Sequence, residues 1–115
     1  MSARDASVIH ELIDRVPALR PVLEEHLDTY DTLLPHVLMG DITRWLVERF
    51  RSDPYDQSMQ DALEFLDRSF TTSRGADTEL IAASFLENLP RAGEDGAGLR
   101  DRVGPALREH LERFG

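Results

Sequence analysis

The chain has 115 residues, a formal net charge of -9 and no cysteine. That length holds one domain with an ordinary core, and the missing thiols exclude a disulfide scaffold, a thiolate zinc site, an iron–sulfur cluster and a cysteine nucleophile. All 13 basic residues are arginine; the acidic excess lacks the basic face that nucleic-acid binding needs, and it suits a basic protein partner.

Apolar residues recur at helical spacing along most of the chain. The first predicted helix spans about Ala6 to Val16, with Val8, Leu12, Ile13 and Val16 as its stripe; Pro17 ends or bends it. The second spans about Ala18 to Leu27 on Leu19, Val22, Leu23 and Leu27, with Pro21 in its first turn. Asp28 to Thr32 is a polar connection. The third helix starts near Leu34, with Pro35 as its first helical residue, and runs to Phe50. It is the most apolar segment, through Leu38, Ile42, Trp45, Leu46 and Phe50, and is expected at the centre. Asp41, Arg44 and Glu48 share one side of it and are spaced for ion pairs.

Ser52 to Tyr55 reads as a turn, and the fourth helix spans about Asp56 to Phe70 on Met59, Ala62, Leu63, Leu66 and Phe70. Phe65 lies off that stripe. A loop at 71–76 precedes a fifth helix from Asp77 or Thr78 to about Asn88, where Pro90 closes the segment. The stretch Arg91–Gly98, with glycines at 93, 96 and 98, is expected to be a flexible loop. The sixth segment spans about Leu99 to Phe114 on Leu99, Val103, Leu107, Leu111 and Phe114. Gly104-Pro105 interrupts it, and the unbroken stripe favours one kinked helix over two. No alternating β-branched run competes. The expectation is an all-α single domain over 1–115: a bundle or helical-hairpin array of about five to six helices.

No apolar run approaches the ~20 residues of a membrane span. Met1 to Arg20 lacks the basic-then-apolar order of a signal peptide. A cytoplasmic protein that does not engage membranes is expected.

Motif chemistry is sparse. His10 with Glu11 and Asp14 has ordinary surface spacing, His26 sits near a helix end where a cation is favoured, and His110 between Glu109 and Glu112 reads as solvated. His36 differs, because it falls in the first turn of the third helix, where a neutral imidazole is favoured. Gly40 sits inside the same apolar helix at a cost of about 1 kcal/mol relative to alanine, which close helix packing or access for a partner would offset. Asp41 and Arg44 flank it. Ser84 and Asn88 interrupt the apolar stripe of the fifth helix, with Glu87 beside them, and buried polar groups need partners. His36, Gly40, Asp41, Arg44, Ser84, Glu87 and Asn88 form the candidate functional patch. No catalytic, cofactor-binding or metal-ligating set stands out: the chain has no nucleophile elbow, no calcium-loop spacing and no phosphate loop.

Leu34-Pro35-His36-Val37-Leu38-Met39-Gly40-Asp41-Ile42-Thr43-Arg44 and Glu79-Leu80-Ile81-Ala82-Ala83-Ser84-Phe85-Leu86-Glu87-Asn88-Leu89 resemble the two signature segments of a family of short bacterial helical domains of unknown function. Small acidic proteins of this kind are similar to the immunity proteins that bind and block a cognate toxin. The resemblance implies no enzymatic role and groups the seven patch residues into one feature.

The leading expectation is a non-enzymatic protein-binding module of the immunity type. A small-ligand or enzymatic site at the start of the third helix is the second reading; it requires His36, Asp41 and Arg44 to converge with Ser84 or Asn88 in one pocket. A structural homodimer with Trp45 or Phe65 at its interface is the third.

Overall fold

Apolar stripes on both faces of a helix demand neighbours on both sides, and two helices meet that demand. The computed structural model describes residues 4–72 and 75–114. Six α-helices lie among them: α1 Arg4–Arg15, α2 Arg20–Tyr30, α3 Pro35–Ser52, α4 Gln57–Thr72, α5 Ala76–Ser84 and α6 Pro105–Phe114. Three 3-10 turns join them, at Pro17–Leu19, Leu86–Asn88 and Ala97–Asp101. No strand occurs among the described residues, so the fold is all-α. Residues 73 and 74, in the expected 71–76 loop, and the side chain of Phe114 lie outside the described set.

The expected central helix is central. α3 packs on α1, α2, α4 and α5, burying Leu38, Met39, Ile42 and Leu46 completely. α5 shares that position, packed on α1, α3 and α4. Its first turn carries Asp77 and Glu79, and the apolar run Leu80 to Ala83 follows. Leu80, Ile81 and Phe85 are buried there beside Val8, Ile9, Leu12 and Ile13 of α1. α2 is peripheral and rests on α3.

Several boundaries move for local physical reasons. α2 starts later than expected, because Pro17 first drives a single 3-10 turn. α5 ends at Ser84 rather than Asn88, and a 3-10 turn takes over. The sixth segment is two elements, not one kinked helix: a 3-10 turn, then α6 opening on Pro105. Proline suits that first position because its missing N–H would have no partner there. The apolar spacing carried across the break because Leu99, Val103 and Leu107 all reach the core. Phe65 is buried, with the Arg15 guanidinium 5.4 Å above its ring, so it offers no surface to a second copy.

Helix ends are closed in two ways. Asp56 caps α4 locally, its Oδ2 accepting the Met59 N–H at 2.9 Å while Arg49 donates to its Oδ1 at 3.1 Å. α6 is capped from a distance: Asp67 of α4 accepts the Leu107 N–H at 3.0 Å. Gly104 makes this possible, since a Cβ there would overlap the Asp67 carboxylate.

The 91–98 stretch folds into hydrogen-bonded turns. Glu94 Oε1 accepts the Arg91 N–H at 2.6 Å, and the Ala97 N–H donates to the Glu94 carbonyl at 3.1 Å. Gly96, at φ 84°, lies against Val47, and Gly98 against Phe50, too close for any side chain at either position. Arg51 of α3 reaches Asp95 at 3.7 Å.

The α4–α6 junction yields the first prediction. Asp67→Ala should lower unfolding free energy by about 1 kcal/mol through the lost cap. Gly104→Ala should cost more, because the added methyl displaces the same carboxylate. Urea unfolding of both variants measures this; a Gly104→Ala protein as stable as the parent would show that the cap is not formed.

Candidate functional site

The patch residues come from α3 and from the end of α5, and helix geometry decides which of them can meet. At roughly 3.6 residues per turn, His36 and Gly40 lie about 40° apart around α3, while His36 and Asp41 lie about 140° apart. The structure divides them accordingly.

His36, Gly40, Ser84 and Asn88 gather on the α5 side. His36 Nδ1 and Ser84 Oγ share a 2.5 Å hydrogen bond. The Ser84 carbonyl, at the last residue of α5, has lost its helical partner. It accepts from Asn88 Nδ2 at 2.8 Å and from Thr43 Oγ1 of α3 at 3.2 Å. Thr43 shares its single hydroxyl proton between that carbonyl and the nearer Met39 carbonyl at 2.7 Å, the back-bond common for a mid-helix threonine. The seam is therefore a clasp that closes the C-terminus of α5 against α3. Thr43 is a member of it that spacing alone did not single out.

A serine hydrogen-bonded to a histidine invites a nucleophilic reading. The surroundings oppose it. Ser84 is only 5% exposed, which denies a substrate access. It sits at the carbonyl end of α5, where the helix dipole disfavours a developing oxyanion.

Gly40 is buried, but not by backbone. A Cβ there would stand 3.8 Å from Asn88 Nδ2 and 4.0 Å from Arg44 Nη1, ordinary contact distances. The close helix packing expected of it is absent; the glycine is covered by two long side chains.

Asp41 and Arg44 face α2. They form an ion pair with each other, while Glu48 pairs with Arg51 at 2.9 Å instead of extending their strip. Both line a groove of about 520 Å³ with Glu25, His26, Tyr30 and Trp45. Trp45 is half-buried, with the Arg49 guanidinium 4.7 Å over its ring. Glu87 lies elsewhere, in a cleft toward α6. The single pocket required by an enzymatic or small-ligand reading at the start of α3 does not form, because His36 and Asp41 point to different neighbours.

The residue that sequence reasoning misplaced is His26. It is the buried anchor of α2, 2% exposed, while Leu27, expected in the stripe, is outside. Its Nε2 accepts the Leu34 backbone N–H at 3.0 Å. Leu34 is the N-cap of α3 and has no polar side chain to close that end. An accepting Nε2 places the proton of the neutral ring on Nδ1. Nδ1 is buried without a hydrogen bond and faces Asp41 Oδ2 at 3.7 Å. Tyr30 packs on the ring with centroids 4.9 Å apart. The chain turns through Asp31 in the left-handed region, at φ 61°, which brings Leu34 back over His26. The signal was present in the sequence: His26 stands four residues after Val22 and three after Leu23, in register with the buried face.

His110 is likewise not a free surface group. Its ring meets Phe70 edge-on at 5.3 Å. Among the described residues, no cluster of histidine and carboxylate side chains could hold a metal ion.

Two substitutions test these assignments. Gly40→Ala should raise stability by about 1 kcal/mol, since the methyl fits and the helix gains. His26→Ala should lower it by about 2–3 kcal/mol, from the cavity and the orphaned Leu34 N–H. Chemical denaturation reads both; a destabilised Gly40→Ala protein would mean that the seam is tighter than it stands here.

No described helix is long and apolar enough to cross a membrane. No curated protein and no solved structure matches the chain. One family does match, over residues 9–114, from the second turn of α1 to the end of α6 and so across both halves of the α3–α5 seam. The chain belongs to the family described as Domain of unknown function (DUF7674).

Proposed function

We propose that the chain is a non-enzymatic protein-binding module of the immunity type, which meets a basic surface of a bacterial toxin through the corner between α2 and α3. One observation carries this reading. Leu27, Tyr30, Leu34 and Val37 are large apolar residues left exposed where α2 gives way to α3. Exposed apolar side chains grouped in this way mark interaction surfaces more often than isolated ones do. The neighbouring groove adds carboxylates from Glu25, Asp41 and Glu48 against the one guanidinium of Arg44. An apolar contact beside negative charge suits a cationic protein surface, with charge steering the encounter. The polar residues of α3 and α5 support the reading indirectly: His36, Ser84 and Asn88 are engaged in holding the fold.

The test is affinity capture from the native host with the full chain and two variants, Val37→Glu and Glu25→Arg. A first-turn carboxylate at position 37 favours the helix, so the first variant keeps its fold. The expected result is a basic protein held by the parent chain, released by added salt, and bound at least tenfold more weakly by either variant. No partner at low and moderate salt, or one held equally by all three proteins, would defeat the proposal. Sedimentation at several concentrations separates the homodimer reading, which predicts self-association through Trp45.

A further inference from the structure

A cleft of about 800 Å³ opens between α5, the 91–98 turns and α6, away from the α2–α3 corner. Its polar lining consists of Arg91, Arg100, Glu87 and His110. Carboxylates outnumber guanidiniums, 22 to 13, and Arg20, Arg44, Arg49, Arg51, Arg68 and Arg113 each reach one. Five described arginines reach no carboxylate: Arg15 and Arg102 lie over aromatic rings, Arg108 bonds the Asp101 carbonyl, and Arg91 and Arg100 line this cleft together. Glu87 is the opposing carboxylate in the lining.

The two arginines are placed by structure. The Arg91 backbone is tied to Glu94, and the turns that follow are held on α3 by the close approaches of Gly96 to Val47 and Gly98 to Phe50. Arg100 projects from the 3-10 turn Ala97–Asp101, and its Nη1 reaches the Pro90 carbonyl at 3.5 Å. That bond engages one donor of a five-donor guanidinium and leaves the rest available. Leu86, Leu89 and Leu111 supply apolar wall.

We propose that this cleft binds an anionic head group, carboxylate or phosphate, carried on a short apolar body. The guanidiniums of Arg91 and Arg100 take the head in charge-assisted hydrogen bonds, and the leucines take the body. Glu87 weakens the site by repulsion and limits it to ligands whose apolar part adds to the binding.

The experiment is an NMR titration of the full chain with hexanoate, hexyl phosphate, inorganic phosphate and hexanol. Saturable shifts at Leu86, Leu89, Arg91 and Leu111 are expected with hexanoate or hexyl phosphate. The tighter of the two identifies the head group. Hexanol and inorganic phosphate should each bind at least tenfold more weakly. Arg100→Gln should weaken the favoured ligand at least tenfold. Arg91→Gln, at an exposed position, should do the same without touching the core. Glu87→Gln should tighten binding several-fold, which a purely structural role for these residues would not produce. Hexanol binding as tightly as the anions would overturn the proposal. So would the absence of saturable shifts at millimolar ligand, or affinity unchanged in both arginine variants.

Discussion

Helices joined by short connections leave backbone donors and acceptors at their ends, and in this protein few neighbouring side chains can take them. Leu19 and Leu34 stand at the N-caps of α2 and α3, and Gly75 stands at that of α5; none makes a side-chain cap. The partners come instead from other helices. His26 of α2 closes the start of α3, Asp67 of α4 closes the start of α6, and Thr43 of α3 with Asn88 closes the end of α5. Unsatisfied buried backbone groups cost about 1–3 kcal/mol each, so these bonds fix how the helices dock as well as where they end. The apolar core supplies most of the stability, but apolar contact is non-directional. Orientation comes from the remote caps.

This constraint explains the polar residues buried in an otherwise aliphatic interior. Ser84 and Thr43 meet across the α3–α5 seam, and His26 lies under the α2–α3 corner. Thr43 and His26 each have a backbone group to serve, and the Ser84 hydroxyl is held by His36. The fold leaves two surfaces less engaged: the exposed apolar side chains at the corner with the groove beside them, and the cleft near α6 with its two arginines. These surfaces lie on different helices.

The use of arginine alone as the basic residue also finds a physical role. Arg15 lies over Phe65 and Arg49 over Trp45, while Arg102 stands 5.9 Å from the Phe50 ring and 4.8 Å from that of Tyr55. A planar guanidinium stacks on an aromatic face and still donates along its edge, which a lysine ammonium does not do as well. Arg49 does both, covering Trp45 while bonding Asp56 at the α4 cap. Trp45 and Phe50, half-buried at the margin of the core, are partly covered in this way, while Tyr55 stays exposed.

What the sequence by itself determined is the set of helices and most of their inward faces. Pro35 marks the start of α3, and apolar spacing finds the buried face of α1, because these signals depend on neighbours three or four residues away. The candidate site was legible in part: His36 with Ser84 and Asp41 with Arg44 are real pairs, but they belong to different surfaces, and Glu87 belongs to a third. Only the tertiary structure decided that division, because it turns on which helix lies opposite each face. The glycines show the same limit. Gly40 drew attention by interrupting an apolar helix, yet it has room for a methyl; Gly96, Gly98 and Gly104 have none, since Val47, Phe50 and Asp67 press against them from distant parts of the chain. His26 was legible as a histidine in register with an apolar face, but its role was not, because the N–H that it receives arrives from the far side of a turn.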